Sequence, residues 1–111
     1  MNRILGITFI FLAFIGSSAE AFDWGVEAYI TTIEPTFAPK YINIQIDRAI
    51  GSCAAGSWLT WNGSGNNDTE RWDNNRAVLG AMLTAQVSRT RVRLYGSNSG
   101  CRIEFIHILQ N

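Results

Sequence analysis

Tyr41 to Ile46 carries the clearest pattern in the chain. Ile42, Ile44 and Ile46 alternate with Tyr41, Asn43 and Gln45. A period of two places alternate side chains on opposite faces of a strand, so one face is buried and the other meets solvent or a ligand. Gly25 to Ile33, rich in Val, Ile, Tyr and Thr, reads as an earlier strand, and Pro35 and Pro39 bracket the connection after it. Asp47 to Ser57 is turn-rich, and a short strand follows at Trp58-Leu59-Thr60-Trp61. After the polar loop Asn62 to Asp68 the period lengthens to nearly four. Trp72, Leu79, Met82 and Leu83 then share one side, widened by Val78, Ala81 and Ala85. That stripe predicts an amphipathic helix reaching about Val87, capped by Thr69 or Asp73 and laid on a sheet. Gly80 costs such a helix roughly 1 kcal/mol relative to Ala, which predicts a close approach to another backbone there. Arg91 to Tyr95 is a fourth strand, Gly96 to Gly100 a hairpin turn, and Cys101 to Leu109 a fifth strand. In the last, Ile103, Phe105 and Leu109 would share one face and Ile106 and Ile108 the other, as in a strand that is central or covered on both sides.

The N-terminus has a different character. Met1-Asn2-Arg3 carries one positive charge, Ile4 to Ile15 is almost wholly apolar, and Gly16 to Ala21 ends in an Ala-x-Ala arrangement. This is the layout of a secretory signal peptide, residues 1–21, cleaved after Ala21. An uncleaved anchor is the alternative, but about a dozen apolar residues fall short of the roughly twenty needed to span a bilayer. The remaining residues, 22–111, fit a single secreted or periplasmic domain. In an oxidising compartment two cysteines usually pair, so Cys53 and Cys101 are expected to form a disulfide that supports a small core.

Charge narrows the function classes. Lys and Arg together number 9, as do Asp and Glu. Loss of Arg3 and Glu20 with the leader leaves the balance neutral. Nucleic-acid binding is not expected, because it needs a dense basic face to release counterions. Arg89, Arg91, Arg93 and Arg102 do cluster near the C-terminus. On a strand Arg91 and Arg93 share a face. That face is either solvated and balanced by Glu104, or a patch for anionic sugars or a protein partner.

The element order is βββαββ: mainly β with one helix and one disulfide. Five strands with a helix between the third and fourth is the layout of the OB-fold, a Greek-key barrel that binds oligonucleotides or oligosaccharides. An open α+β sheet with one helix is the alternative. Together with this layout, Cys53, Trp58, the helical run Leu79 to Ala85, the strand Arg91 to Tyr95 and the closing Cys101-x-Ile103-x-Phe105-Ile106-x-Ile108 make the chain resemble the small secreted bacterial proteins similar to the binding subunit of subtilase cytotoxin. The resemblance implies an OB-fold, ring-like oligomerisation and recognition of sialylated glycans. It rests on element order and hydrophobic positions, and no sugar-binding residue is carried over from it.

Catalytic constellations are sparse. His107 is the one histidine and sits in an apolar strand, and Ser88, Ser97 and Ser99 have no motif around them. Asp68, Glu70 and Asp73 lack the spacing of a calcium loop and suit a helix N-terminus. No enzyme activity, metal or cofactor is expected. The aromatics are more suggestive. Trp24, Trp58, Trp61 and Trp72 are four tryptophans in a small domain, and aromatic faces stack on sugar rings while amides bond the hydroxyls. Trp61, leading into Asn62, Ser64, Asn66 and Asn67, is the candidate ligand site. Trp58 and Trp61 would point to opposite faces, so at most one is a surface platform. Arg91 and Arg93 are the candidate partner surface. Asn62-Gly63-Ser64 and Asn67-Asp68-Thr69 match the N-glycosylation pattern, which matters only in a eukaryotic secretory pathway. The expected function is a binding module for a glycan or a surface protein, with a homo-oligomer raising the avidity of weak sites.

Overall fold

Alternation and turn chemistry together produce a curled sheet. The computed structural model describes residues 22–110, so the expected signal peptide over residues 1–21 lies outside the described residues. The strands are β1 (Trp24–Ala28), β2 (Ile30–Glu34), β3 (Ile42–Ile46), β4 (Leu59–Trp61), β5 (Val92–Ser97) and β6 (Arg102–Ile108). A single helix, α1 (Asp68–Ser88), separates β4 from β5, and a 3-10 turn at Ser99–Cys101 joins β5 to β6. The sheet order is β1-β5-β6-β4-β3-β2. All neighbours are antiparallel except β4 and β6, which run parallel. The protein is therefore mainly β, a six-stranded sheet curled into a half-barrel with one helix. Among the described residues no helix is long and apolar enough to cross a membrane.

The sixth strand arises from a break that local propensity does not mark. The expected first strand is split at Tyr29, and its halves pair at opposite edges of the sheet, β1 with β5 and β2 with β3. Asp47 holds the break. Its carboxylate Oδ1 accepts from the Tyr29 N–H at 3.0 Å, and its own N–H donates to the Tyr29 carbonyl at 3.1 Å. A register shift between Ile30 and Thr32 adds the bulge that turns the strand.

The inward face follows the alternation. Ile42, Ile44 and Ile46 are buried with Leu59, Val92, Leu94 and Ile103. The outward residues of β3 are engaged within the protein. The Asn43 amide donates to Glu34 and accepts from the Thr60 hydroxyl, while Gln45 donates to the Gly56 carbonyl. In β6 the face assignment changes midway. Tyr95 pairs with Phe105 but Gly96 with Ile103, so Glu104 is the extra residue of a bulge. Ile103 and Ile106 therefore face the core, and Phe105 is 54% exposed rather than sharing the Ile103 face. Gly96 is required here. A Cβ on it would stand 2.1 Å from the Arg102 carbonyl and 2.4 Å from the Trp24 ring.

α1 starts one residue before the earlier of the two expected caps. Asn67 is the N-cap, its side-chain oxygen accepting from the Glu70 N–H, while the Glu70 carboxylate accepts from the Asn66 N–H. The two bonds satisfy orphan donors reciprocally. Thr69 and Asp73 both lie inside the helix. Its buried residues are Asn75, Met82 and Ala85, whereas Leu83 points outward. Nothing approaches Gly80: a Cβ there would meet no atom within 4 Å. The close approach expected at Gly80 is therefore absent.

Cys53 and Cys101 form the expected disulfide, joining the loop after β3 to the turn before β6 across 48 positions. Two measurements check these assignments in urea. Gly80→Ala should raise the unfolding free energy by about 0.5–1 kcal/mol, since it removes unfolded-state entropy without a clash. Replacing both cysteines with Ser should lower it by about 3–4 kcal/mol from the loop released.

Candidate functional site

The bend at Tyr29 opens a cleft on the protein surface. It is lined by Tyr29, Ile30 and Thr31 at the bend, by Asp47, and by Ala85, Gln86 and Arg89 at the end of α1. Its volume is about 430 Å³, within the range of small-ligand sites, roughly 300–1,000 Å³. Tyr29 is 41% exposed, because the break between the strands leaves its ring outside the alternating core pattern. Asp47 uses one carboxylate oxygen on the Tyr29 backbone. Gln86 donates to the Thr31 carbonyl at 3.1 Å, tying the helix to the bend. Arg89 ends α1 in the left-handed conformation, φ 55° and ψ 46°, and its N–H is bonded back to Ala85 and Gln86. Its guanidinium makes no ion pair among the described residues. Glycine is the usual residue at this position. The chain instead keeps a cation in a backbone region that costs an L-residue roughly 1–2 kcal/mol. The cleft thus gathers an aromatic ring, a carboxylate, an amide and a free guanidinium.

The residues expected to bind ligand are distributed differently. Trp61 is 6% exposed and belongs to the core, so its ring is not offered as a platform. Trp58, on the other face as the alternation requires, is the exposed member at 45%. The loop residues mainly organise the helix start. The Ser64 N–H donates to Asn74, the Asn66 N–H to Glu70, and Asn67 is the N-cap. Asn62 is exposed, and its carbonyl accepts from the buried Asn75 amide at 3.4 Å. Neither Trp61 nor the asparagine loop lines the Tyr29 cleft, which assembles from segments far apart in the chain. The one local hint of it was Arg89 directly after a helical stripe, where glycine is expected.

Asp68, Glu70 and Asp73 serve the helix N-terminus: Asp68 pairs with Arg71, and Asp73 with Arg76 at 2.8 Å. His107 is exposed, its ring centroid 5.5 Å from that of Tyr95, with no ion pair to a carboxylate among the described residues.

Arg91 and Arg93 do share a face, and the counter-charge is Glu27 rather than Glu104. Glu27 receives Arg91 at 2.8 Å and Arg93 at 2.8 Å, while Glu104 pairs with Arg102 at 3.0 Å. The hydrogen bond from Arg93 holds the Glu27 carboxyl below the usual glutamate range. Desolvation opposes it, and the charges of Arg93, Arg91 and Arg48 add to it. A carboxyl with a depressed folded pKa contributes stability that is complete above its unfolded pKa, about 4.3, and is lost as pH falls through the folded value. Glu27→Gln should therefore lower the melting temperature at pH 7, and the gap from the parent protein should close as the pH is taken well below 4. A gap that persists unchanged in acid would contradict the ion-pair account.

Comparison with protein families, with curated proteins and with solved structures finds no match for this chain.

Proposed function

We propose that the protein is a non-enzymatic binding module that holds a glycan in the cleft between Tyr29, Asp47 and Arg89. The observation that carries this reading is Arg89. A strained backbone conformation retained by a cation without an ion pair, facing a ligand-sized cleft, is a stability cost that a binding role explains. The Tyr29 ring suits the apolar face of a sugar. Asp47 and Gln86 suit its hydroxyls, and Arg89 a hydroxyl or an acidic substituent.

The architecture supports the reading as well. If β1 and β2 are counted as two halves of one bent strand, five strands remain, ordered first-second-third-fifth-fourth, with the fourth returning to the first. The third and fifth are parallel, and the helix lies between the third and fourth. We read this as an OB-like barrel of the kind the resemblance to toxin binding subunits implies. The disulfide fits action outside the cytosol, and a homo-oligomer would multiply weak single-sugar sites.

A glycan array probed with the purified, multivalently displayed protein tests the proposal, with native mass recorded alongside. Specific hits are expected. Tyr29→Ala should weaken them at least 10-fold with little change in melting temperature. Arg89→Gly should separate two quantities, raising the unfolding free energy by about 1 kcal/mol while weakening binding. An empty array, or hits that survive both substitutions, would overturn the assignment.

A further inference from the structure

Away from the cleft, the outward face of β1, β5 and β6 is built in two cross-strand rows. Register aligns Gly25 with Tyr95 and Phe105 in one row, and Glu27 with Arg93 and His107 in the next. The first row is an aromatic shelf. The Tyr95 ring lies over Gly25, where a Cβ would stand 2.9 Å from it. Phe22 packs against both Tyr95 and Phe105, with ring centroids 5.5 and 5.3 Å away. Phe105 nonetheless remains more than half exposed. The second row, taken with Arg91 beside it, is cationic in balance. Two guanidiniums, Arg91 and Arg93, share the single carboxylate of Glu27, and Arg48 acts on the same carboxylate through space. Each guanidinium has five N–H donors, and two carboxylate oxygens cannot occupy them all. Between the rows lies a groove of about 240 Å³, lined by Gly25, Val26, Glu27, Arg93 and Tyr95.

We infer that this face is a docking surface for an acidic segment of a partner protein. The partner's Asp or Glu would be held by the spare donors of Arg91 and Arg93, and a neighbouring apolar or aromatic side chain would lie on the Tyr95–Phe105 shelf. Charge complementarity selects this occupant. A second copy docked symmetrically through the same face would set surplus positive charge against itself, which disfavours association. A nucleic acid needs many phosphate neutralisations, and Glu27 and Glu104 already cancel most of the charge here. Bidentate guanidinium–carboxylate pairing beside an exposed aromatic shelf instead matches the anchors of protein interfaces.

A displayed library of random 12-residue peptides, panned on the purified protein, tests the inference. The selected sequences should be enriched in Asp and Glu beside an aromatic or large apolar residue. A synthetic peptide of the winning sequence should bind at least 10-fold more weakly to Arg91→Gln/Arg93→Gln and to Phe105→Ser. Arg93→Lys, which keeps the charge and loses the fork, should fall between. Tyr29→Ala should bind that peptide normally, so failure of the glycan reading and failure of this one are distinguishable. Circular dichroism melting confirms that each variant is folded. Winners without acidic enrichment, or winners that bind the double arginine variant as well as the parent, would overturn the proposal. So would a dimer abolished by Phe105→Ser, or oligothymidine binding lost with the arginines.

Discussion

A single residue, Tyr29, carries the chain from one edge of the sheet to the other. β1 and β2 stand at opposite ends of the strand order yet are consecutive in sequence. A sheet whose two edges are covalently joined through one residue has to curl. The bend depends on Asp47, whose carboxylate and N–H hold the Tyr29 backbone on both sides. Those groups would otherwise be left without ladder partners where the strand breaks, at a cost comparable to lost hydrogen bonds. The cleft is a by-product of the same constraint. Where the strand turns away it cannot cover the end of α1, and the exposed Tyr29, Asp47 and Arg89 are left lining the opening.

The helix and loops are fastened by a few polar ties rather than by a wide apolar stripe. Asn75 is completely buried in the middle of α1, and its amide donates to the carbonyls of Pro39, Lys40 and Asn62. It thereby joins the helix to the β2–β3 connection and to the start of the polar loop. Its Oδ1 has no partner among the described residues, a local cost accepted to satisfy three backbone carbonyls at once. At the opposite side of the sheet the disulfide works with Asn98. That side chain accepts from the Ser52 N–H, while its backbone N–H donates to Asp23. The first described residues, the loop after β3 and the β5–β6 turn are thus held together. Beyond these ties lie two surfaces, the cleft at the bend and the face around Tyr95. Each combines aromatic area with guanidinium groups that are not fully occupied.

Much of the fold was legible from local pattern, because strand parity and helical periodicity are local properties. The alternation of Ile42, Ile44 and Ile46 placed β3 and its buried face. The change of period after the asparagine loop placed α1, and two cysteines in a chain expected to reach an oxidising compartment implied their pairing. Even the opposition of Trp58 and Trp61 was available from parity alone. Which of the two faces the core was not, because that depends on what packs against β4.

The sequence by itself determined the kind of elements and most of their positions, the helix between two groups of strands, and the disulfide; its five strands became six. Only the tertiary structure decided three other matters. It broke a continuous β-favouring stretch at Tyr29, because Asp47 from another segment supplies the hydrogen bonds that the break requires. It reversed the facing of β6 through the bulge at Glu104, because Gly96 must tuck beneath Trp24. It also assembled Tyr29, Asp47, Gln86 and Arg89 into one cleft. Convergence of side chains from segments so far apart is a property of packing, and no periodicity along the chain encodes it.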